Sequence, residues 1–286
     1  MNIRLFLIAV TLIIINPVVC SADNVHYKKE DSIKVVKLLR EARQLPEDTN
    51  LMIHFGRKLI GIPYVAYTLE VNDRERLVVN LRQLDCTTFV ENVLCLSLCV
   101  QNKIYDFQGF CNMLRNIRYK EGSAPSYTKR LHYFTSWIED NSMMGYCKEI
   151  QSPTPPFTAV QTLNIDFMTT HTASYRMLKG NNKAIGIIRE TEKELTGKRY
   201  RYIPKTSVGN NEMMRKAVKD GDILALTTNI KGLDVQHIGI AVWHADGLHL
   251  LNASSIRKMV VEEPQTLYRY LSGRKTMTGV RVIRPL

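Results

Sequence analysis

Three observations predict an α+β fold for this chain. Helical periodicity runs through its first half, strand alternation takes over after residue 220, and the stretch 85–102 is helical and apolar almost all round, as a central buried helix is. Helices first and an antiparallel sheet last is the pattern of that class.

Taken in order, the chain opens on Asn2, Ile3 and Arg4, then an apolar run, 5–15, broken by Asn16-Pro17. Eleven residues at ~1.5 Å each cannot cross a hydrocarbon core of ~30 Å, so residues 1–22 read as a signal peptide rather than an anchor. Cleavage after Ala22 places Cys20 and Ala22 at the two small positions. Lipidation at Cys20 is the alternative reading, opposed by the bulk of Val19. No later segment holds eighteen uninterrupted apolar residues, and the exported chain, 23–286, is expected to be one soluble catalytic domain.

Apolar residues at Ile33, Val36, Leu39 and Ala42 predict a helix over 31–45, stopped by Pro46, and a second short helix spans 51–60. Gly61-Ile62-Pro63-Tyr64 reads as a turn into an extended stretch ending near Val71. After the apolar helix, 104–145 is again helical, 152–156 is a loop, and 212–219 is a short helix before the Asp220-Gly221 turn. Residues 222–228, 237–244 and 248–254 are strand-like, with Asp246-Gly247 a strong hairpin signal, and 281–286 is positioned to close the sheet.

Composition narrows the function. With 45% hydrophobic and 23% charged residues in 286, the chain is neither disordered nor fibrous, and six cysteines are too few for a disulfide scaffold. The net charge is +12; removing residues 1–22 takes away Arg4 alone, so 38 basic residues face 27 acidic ones at +11. In a cytoplasmic protein that excess would suggest nucleic acid. In an exported one it suits anionic envelope material, and the dispersed basic pairs lack an RNA-reading aromatic motif, so no nucleic-acid partner is expected.

Chemistry concentrates where helix and sheet should meet. Cys86 opens the buried helix, where unpaired backbone N–H groups and the positive dipole end favour a thiolate and can hold an oxyanion. His237 begins a strand with Gly239 and Ala241 on its own face, small residues that leave room for a substrate or a helix end. Asn252, one hairpin later, is placed to orient the imidazole. Cys95 lies nine positions from Cys86, on the opposite side of the helix at ~100° per residue, and Cys99 lies about 140° away. The Cys86 thiol is therefore expected to be free. No paired C-x-x-C or His-Cys cluster suggests zinc, and pairing of Cys111 with Cys147 stays open. The Asn-Ala-Ser sequon at 252–254 is read as incidental.

Several motifs carry a resemblance: G-I-P-Y (61–64), D-C-T-T-F-V-E (85–91), G-D-I (221–223), H-I-G-I-A (237–241) and N-A-S-S (252–255). Together they resemble the NlpC-type papain-like amidases and peptidases of bacterial cell walls. T-T-F-V-E and the L-H-Y-F segment (131–134) are similar to the N-acetylmuramoyl-L-alanine amidase-like branch, and the likeness runs from about residue 55 to the C-terminus. It implies a papain-like core of a central helix on an antiparallel sheet, with Cys86 as nucleophile, His237 as general base and Asn252 in the imidazole-orienting position, where many relatives carry histidine. Tyr64 matches the family's active-site tyrosine, a candidate for the oxyanion. Val65-Ala66-Tyr67 replaces the glycines that often follow it, so the cleft wall should differ from that of the peptidase members. Asp85 is a candidate to recognise a substrate amine or to cap the helix, the cap being preferred.

His237 follows Cys86 by 151 positions, more than a minimal member needs. The excess, about 115–215, is expected to be a mainly helical elaboration bordering the cleft; it contains Tyr133, His171 and Tyr175, of which Tyr133 and His171 are candidate substrate contacts. The resemblance implies a periplasmic or envelope amidase acting on peptidoglycan or muropeptides, without cofactor or metal. A γ-D-glutamyl-diamino-acid endopeptidase and a non-catalytic wall- or lipid-binding module are the alternatives. Membrane association would follow only from lipidation at Cys20, and the sequence leaves the oligomeric state open.

Overall fold

The computed structural model describes residues 25–286; the signal-peptide reading of 1–22 and the lipidation reading of Cys20 lie outside the described residues. Strand β1 (Val25–His26) pairs in parallel with β2 (Leu77–Val78), and between them run α1 (Lys29–Ala42) and α2 (Leu51–Lys58). Then come α3 (Cys86–Gln101), α4 (Phe107–Arg118), α5 (Phe134–Met143), β3 (Cys147–Glu149), β4 (Ala159–Thr162), α6 (Phe167–Thr170), α7 (Asn182–Leu195) and β5 (Arg199–Pro204). The chain finishes with α8 (Glu212–Ala217), β6 (Ile223–Thr228), β7 (Val235–Trp243), β8 (Leu248–Ser254), β9 (Met259–Glu262), α9 (Leu267–Ser272) and β10 (Met277–Pro285). No helix among the described residues is long and apolar enough to cross a membrane.

One antiparallel sheet runs in the order β4-β5-β10-β6-β7-β8-β9, with β3 also paired to β10. Alternation along its strands sends side chains into two cores. Ile223 and Ala225 of β6, and Ile238, Ile240 and Val242 of β7, join the core built by α1 to α5. Leu224, Leu226, Ala241 and Leu250 point the other way, into a core closed by Met214 of α8 and by Leu267 and Leu271 of α9. Both faces are covered, which is why β6 and β8 are buried at every position.

Helix α3 packs across β7 and β8 and is buried over most of its length. Glu91 is one polar group inside it, and Arg118 of α4 meets it at 2.7 Å while also donating to the Val78 carbonyl at 2.6 Å. Asp31 of α1 accepts from the Leu81 amide at 2.9 Å and pairs with Arg82 at 3.2 Å, tying α1 to the segment that leads into Cys86.

Four expectations are corrected. The helical region 104–145 is two helices, because Gly122 at φ +61° and the Tyr119–Arg130 bridge interrupt it. The stretch after Tyr64 is a turn through Tyr67 (φ 62°), not an extended run to Val71. The elaboration holds helices but also gives the sheet β3, β4 and β5. The C-terminal strand begins at Met277 and lies inside the sheet between β5 and β6 instead of closing it.

Candidate functional site

Asp85 starts the site by starting the helix. Its carboxylate accepts from the Thr88 amide and hydroxyl, each at 2.8 Å, and the Thr88 hydroxyl oxygen accepts from the Asp85 amide at 2.9 Å, a reciprocal capping box. The first helical residue is then Cys86, held where the cap fixes it.

Backbone pairing brings the second component alongside. Tyr64 bridges Leu84 in parallel register, with the Leu84 amide donating to the Pro63 carbonyl at 3.0 Å and the Val65 amide to the Leu84 carbonyl at 3.1 Å. The same segment is stitched to β9 and the residue before it by the Gly61 and Tyr64 amides, which donate to the Val260 and Lys258 carbonyls at 2.9 Å each. Burial, with Cys86 and Asp85 close by, raises the Tyr64 phenol to about 12, so it stays a hydrogen-bond donor at neutral pH.

The strands supply the rest. The backbone amide of Ile238, with the amide and hydroxyl of Thr87, stands near enough to the Cys86 sulfur to favour its anion, so the start of α3 meets β7 at the residue that follows His237. His237 is buried, and its Nε2 lies 2.9 Å from Asn252 Oδ1. Asn252 is fully buried, with Nδ2 directed at the Leu250 and Val261 carbonyls at 3.3 and 3.4 Å. Those carbonyls can only accept, so they fix the amide orientation and leave Oδ1 as an acceptor. The proton therefore sits on His237 Nε2, and Nδ1 keeps its lone pair.

Electrostatically the pair is neutral at rest. Cys86 is half-buried. Burial first, and the Asp85 carboxylate second, push the thiol up to about 12 against the three donors that favour its anion. This corrects the expectation of a lowered thiol: the helix start is present, but desolvation outweighs it. Burial, with Arg274 nearby, holds His237 below the usual imidazole range although the Asn252 contact favours its cation.

Gly239 also plays a different part from the one expected. A methyl group there would stand 2.7 Å from the Leu250 side chain and 2.9 Å from the Leu251 carbonyl oxygen. The space beside His237 is taken by β8 rather than left for a ligand. Among the other candidates, Tyr133 is buried in a third core, its hydroxyl donating to Glu192 at 2.7 Å and accepting from the Met168 amide at 2.9 Å. His171 is exposed at the end of α6, its Nδ1 2.9 Å from the Phe167 carbonyl and its ring stacked on Phe167. Neither is drawn to Cys86 by these contacts.

Residues outside the sequence reading complete the surroundings. Tyr270 of α9 stacks on His237 with centroids 6.4 Å apart, and the Arg274 guanidinium lies 3.4 Å over the Tyr270 ring. Residues 255–280 carry no chemical motif; Thr266 as an N-cap is the one signal that could have located this helix. The five described cysteines form no disulfide, and Cys95 and Cys99 belong to the helical core.

No curated protein matches the chain. Among solved structures, an N-acetylmuramoyl-L-alanine amidase from Bacteroides uniformis ATCC 8492 is 36% identical, with a TM-score of 0.76 over 82% of this chain and 97% of that one. A Bacteroides fragilis protein provisionally named a xylanase is 39% identical, with a TM-score of 0.74 over 80% and 98%. A Legionella pneumophila protein at 20% identity shares the fold, with a TM-score of 0.69 over 90% and 95%. The family model described as AmiA-like, N-acetylmuramoyl-L-alanine amidase-like, matches residues 54–278, and the chain belongs to that family.

Proposed function

We propose that this protein is a cysteine amidase with a papain-like, NlpC-type core, which hydrolyses the amide bond between N-acetylmuramic acid and L-alanine in peptidoglycan or muropeptides. The observation that carries the mechanism is the His237–Asn252 contact, which leaves His237 Nδ1 free to act as a base one residue before Ile238, whose amide favours the Cys86 anion. The choice of bond rests on the family and on the B. uniformis relative.

His237 Nδ1 takes the thiol proton as Cys86 Sγ attacks the lactyl carbonyl, and the new oxyanion is met by the Cys86 amide and the Tyr64 hydroxyl. The carbon–nitrogen bond breaks and the imidazolium returns its proton to the amine of L-alanine. Water, deprotonated by His237, then cleaves the thioester and the proton returns to sulfur. Making the anion by proton transfer within the attack suits a pair that is neutral at rest. Export through residues 1–22 would place the enzyme with its substrate, and the positive charge of the chain suits an anionic envelope.

Digestion of defined muropeptides, followed by mass spectrometry, tests this reading. Release of the intact stem peptide is expected. Cleavage inside the stem would replace the amidase with a γ-D-glutamyl-diamino-acid endopeptidase, and binding without turnover would leave a wall-binding module. Cys86→Ala should abolish turnover, and Asn252→Ala should lower kcat on the order of 10²-fold with little change in KM.

A further inference from the structure

The hairpin joining β7 to β8 gathers a second group of reactive side chains. His244 follows the end of β7, Asp246 lies in the turn, and His249 pairs with Val242 from β8. The turn is tight, with the His244 amide donating to the Gly247 carbonyl at 2.8 Å. One ligand atom from each of His244, Asp246 and His249 lies within 4.8 Å of the others, and the two imidazole centroids are 4.2 Å apart.

Hydrogen-bond accounting singles out His249. The ring is buried, and its Nδ1 lies 2.8 Å from the Glu263 carbonyl, which can only accept, so Nδ1 carries a proton. In the neutral ring Nε2 is then a lone pair, aimed at Asp246 Oδ1 at 2.9 Å, and a carboxylate oxygen is also an acceptor. Two acceptors at that distance are reconciled by a positive species, either a second proton on the ring, giving an imidazolium–carboxylate pair, or a bound cation. A backbone carbonyl holding one imidazole nitrogen while the other faces outward is the arrangement by which metal-binding histidines are oriented. His244 is ordered too, through Nε2 on Glu262, itself clamped by Arg57 at 2.9 and 3.2 Å. That clamp offsets Arg57, the cation that α2 brings to the group, while Arg215 of α8 donates to the His244 carbonyl at 3.1 Å.

We propose that His244, Asp246 and His249 bind one divalent transition-metal ion of the zinc type, with water completing the coordination. Two imidazoles and one carboxylate suit Zn²⁺, Ni²⁺ or Cu²⁺ rather than Mg²⁺ or Ca²⁺, which prefer all-oxygen shells. The site is separate from Cys86 and His237: His244 lies seven residues beyond His237, about 23 Å along a strand rising ~3.3 Å per residue. Bound there, the ion fastens the ends of β7 and β8.

Calorimetric titration of the metal-stripped chain with ZnCl₂ tests the proposal, using a Cys86→Ala background so that the partly accessible thiol among the described residues does not compete. One ion per chain is expected, unaffected by millimolar Mg²⁺ or Ca²⁺. His244→Ala and Asp246→Asn, at two exposed positions, should each weaken binding at least tenfold with an unchanged far-ultraviolet circular dichroism spectrum. Absence of stoichiometric binding would overturn it, as would variants that bind like their parent or displacement by Mg²⁺.

Discussion

At the start of α3, three donors converge on one sulfur and two effects oppose them. Desolvation and the Asp85 carboxylate together outweigh the Thr87 and Ile238 contacts, so Cys86 remains a thiol at neutral pH. Asp85 thus has two consequences from one position: it fixes the helix start through Thr88 and it discourages the thiolate next door. These can be separated. Asp85→Asn keeps an amide oxygen able to cap the helix but removes the charge. Alkylation of Cys86 by iodoacetamide at pH 7 should therefore be faster in Asp85→Asn than in the parent, and the parent rate should still be climbing at pH 9. Equal rates would show that the carboxylate is not felt by the sulfur. Activity has its own acid limb: the base must be unprotonated, and His237 is held below 6.5, so muropeptide turnover should decline only as the pH falls under that value.

At the scale of elements, β7 shows why part of this architecture was legible in the sequence. The alternation of Ile238, Ile240 and Val242 against His237, Gly239 and Ala241 predicts both the strand and its two faces, and Asp246-Gly247 predicts the hairpin. The apolar stretch 85–102 likewise announces a buried helix. Strands β3, β4 and β5 were not legible. They are three to six residues long and rich in Arg, Tyr, Lys, Glu and Gln, and they are held by pairing, β3 and β5 with β10 and β4 with β5, rather than by a hydrophobic face. Tyr270 was invisible for another reason, since stacking on a histidine 33 positions earlier leaves no local trace. The site shows the same division: Cys86, His237 and Asn252 stand in motifs, whereas the sign of the thiol shift depends on burial, which no motif records. Gly239 tests the packing directly. Gly239→Ala forces a methyl group against the Leu250 side chain and the Leu251 carbonyl, and should lower stability by about 1–3 kcal/mol in urea unfolding.

Across the whole molecule, the excess of basic residues reaches into the interior through the histidines. His132, His237 and His54 are all held below the ordinary imidazole range, in each case first by burial and then by a nearby cation, Arg130, Arg274 and Lys58 respectively. His132 is lowered to about 3. The unfolded chain, whose histidines titrate near 6.5, therefore binds more protons than the folded one once the pH falls below that value, and stability must fall with it. The loss amounts to at most about 1.4 kcal/mol per pH unit for each such histidine, and for His132 it continues down to about pH 3. Glu91 and Asp140 run the other way, because burial raises their carboxyls and the folded state then takes up protons more readily. A net acid slope alone would mix these contributions, so the informative comparison is with His132→Gln. Glutamine retains an N–H for the Tyr127 carbonyl, which His132 Nε2 meets at 2.7 Å, but it has no proton to gain. Urea midpoints measured at pH 7.5, 6 and 4.5 should decline less steeply in His132→Gln than in the parent. Parallel slopes would mean that this histidine is charged inside the fold, and that the positive surface does not extend its influence to the buried imidazole.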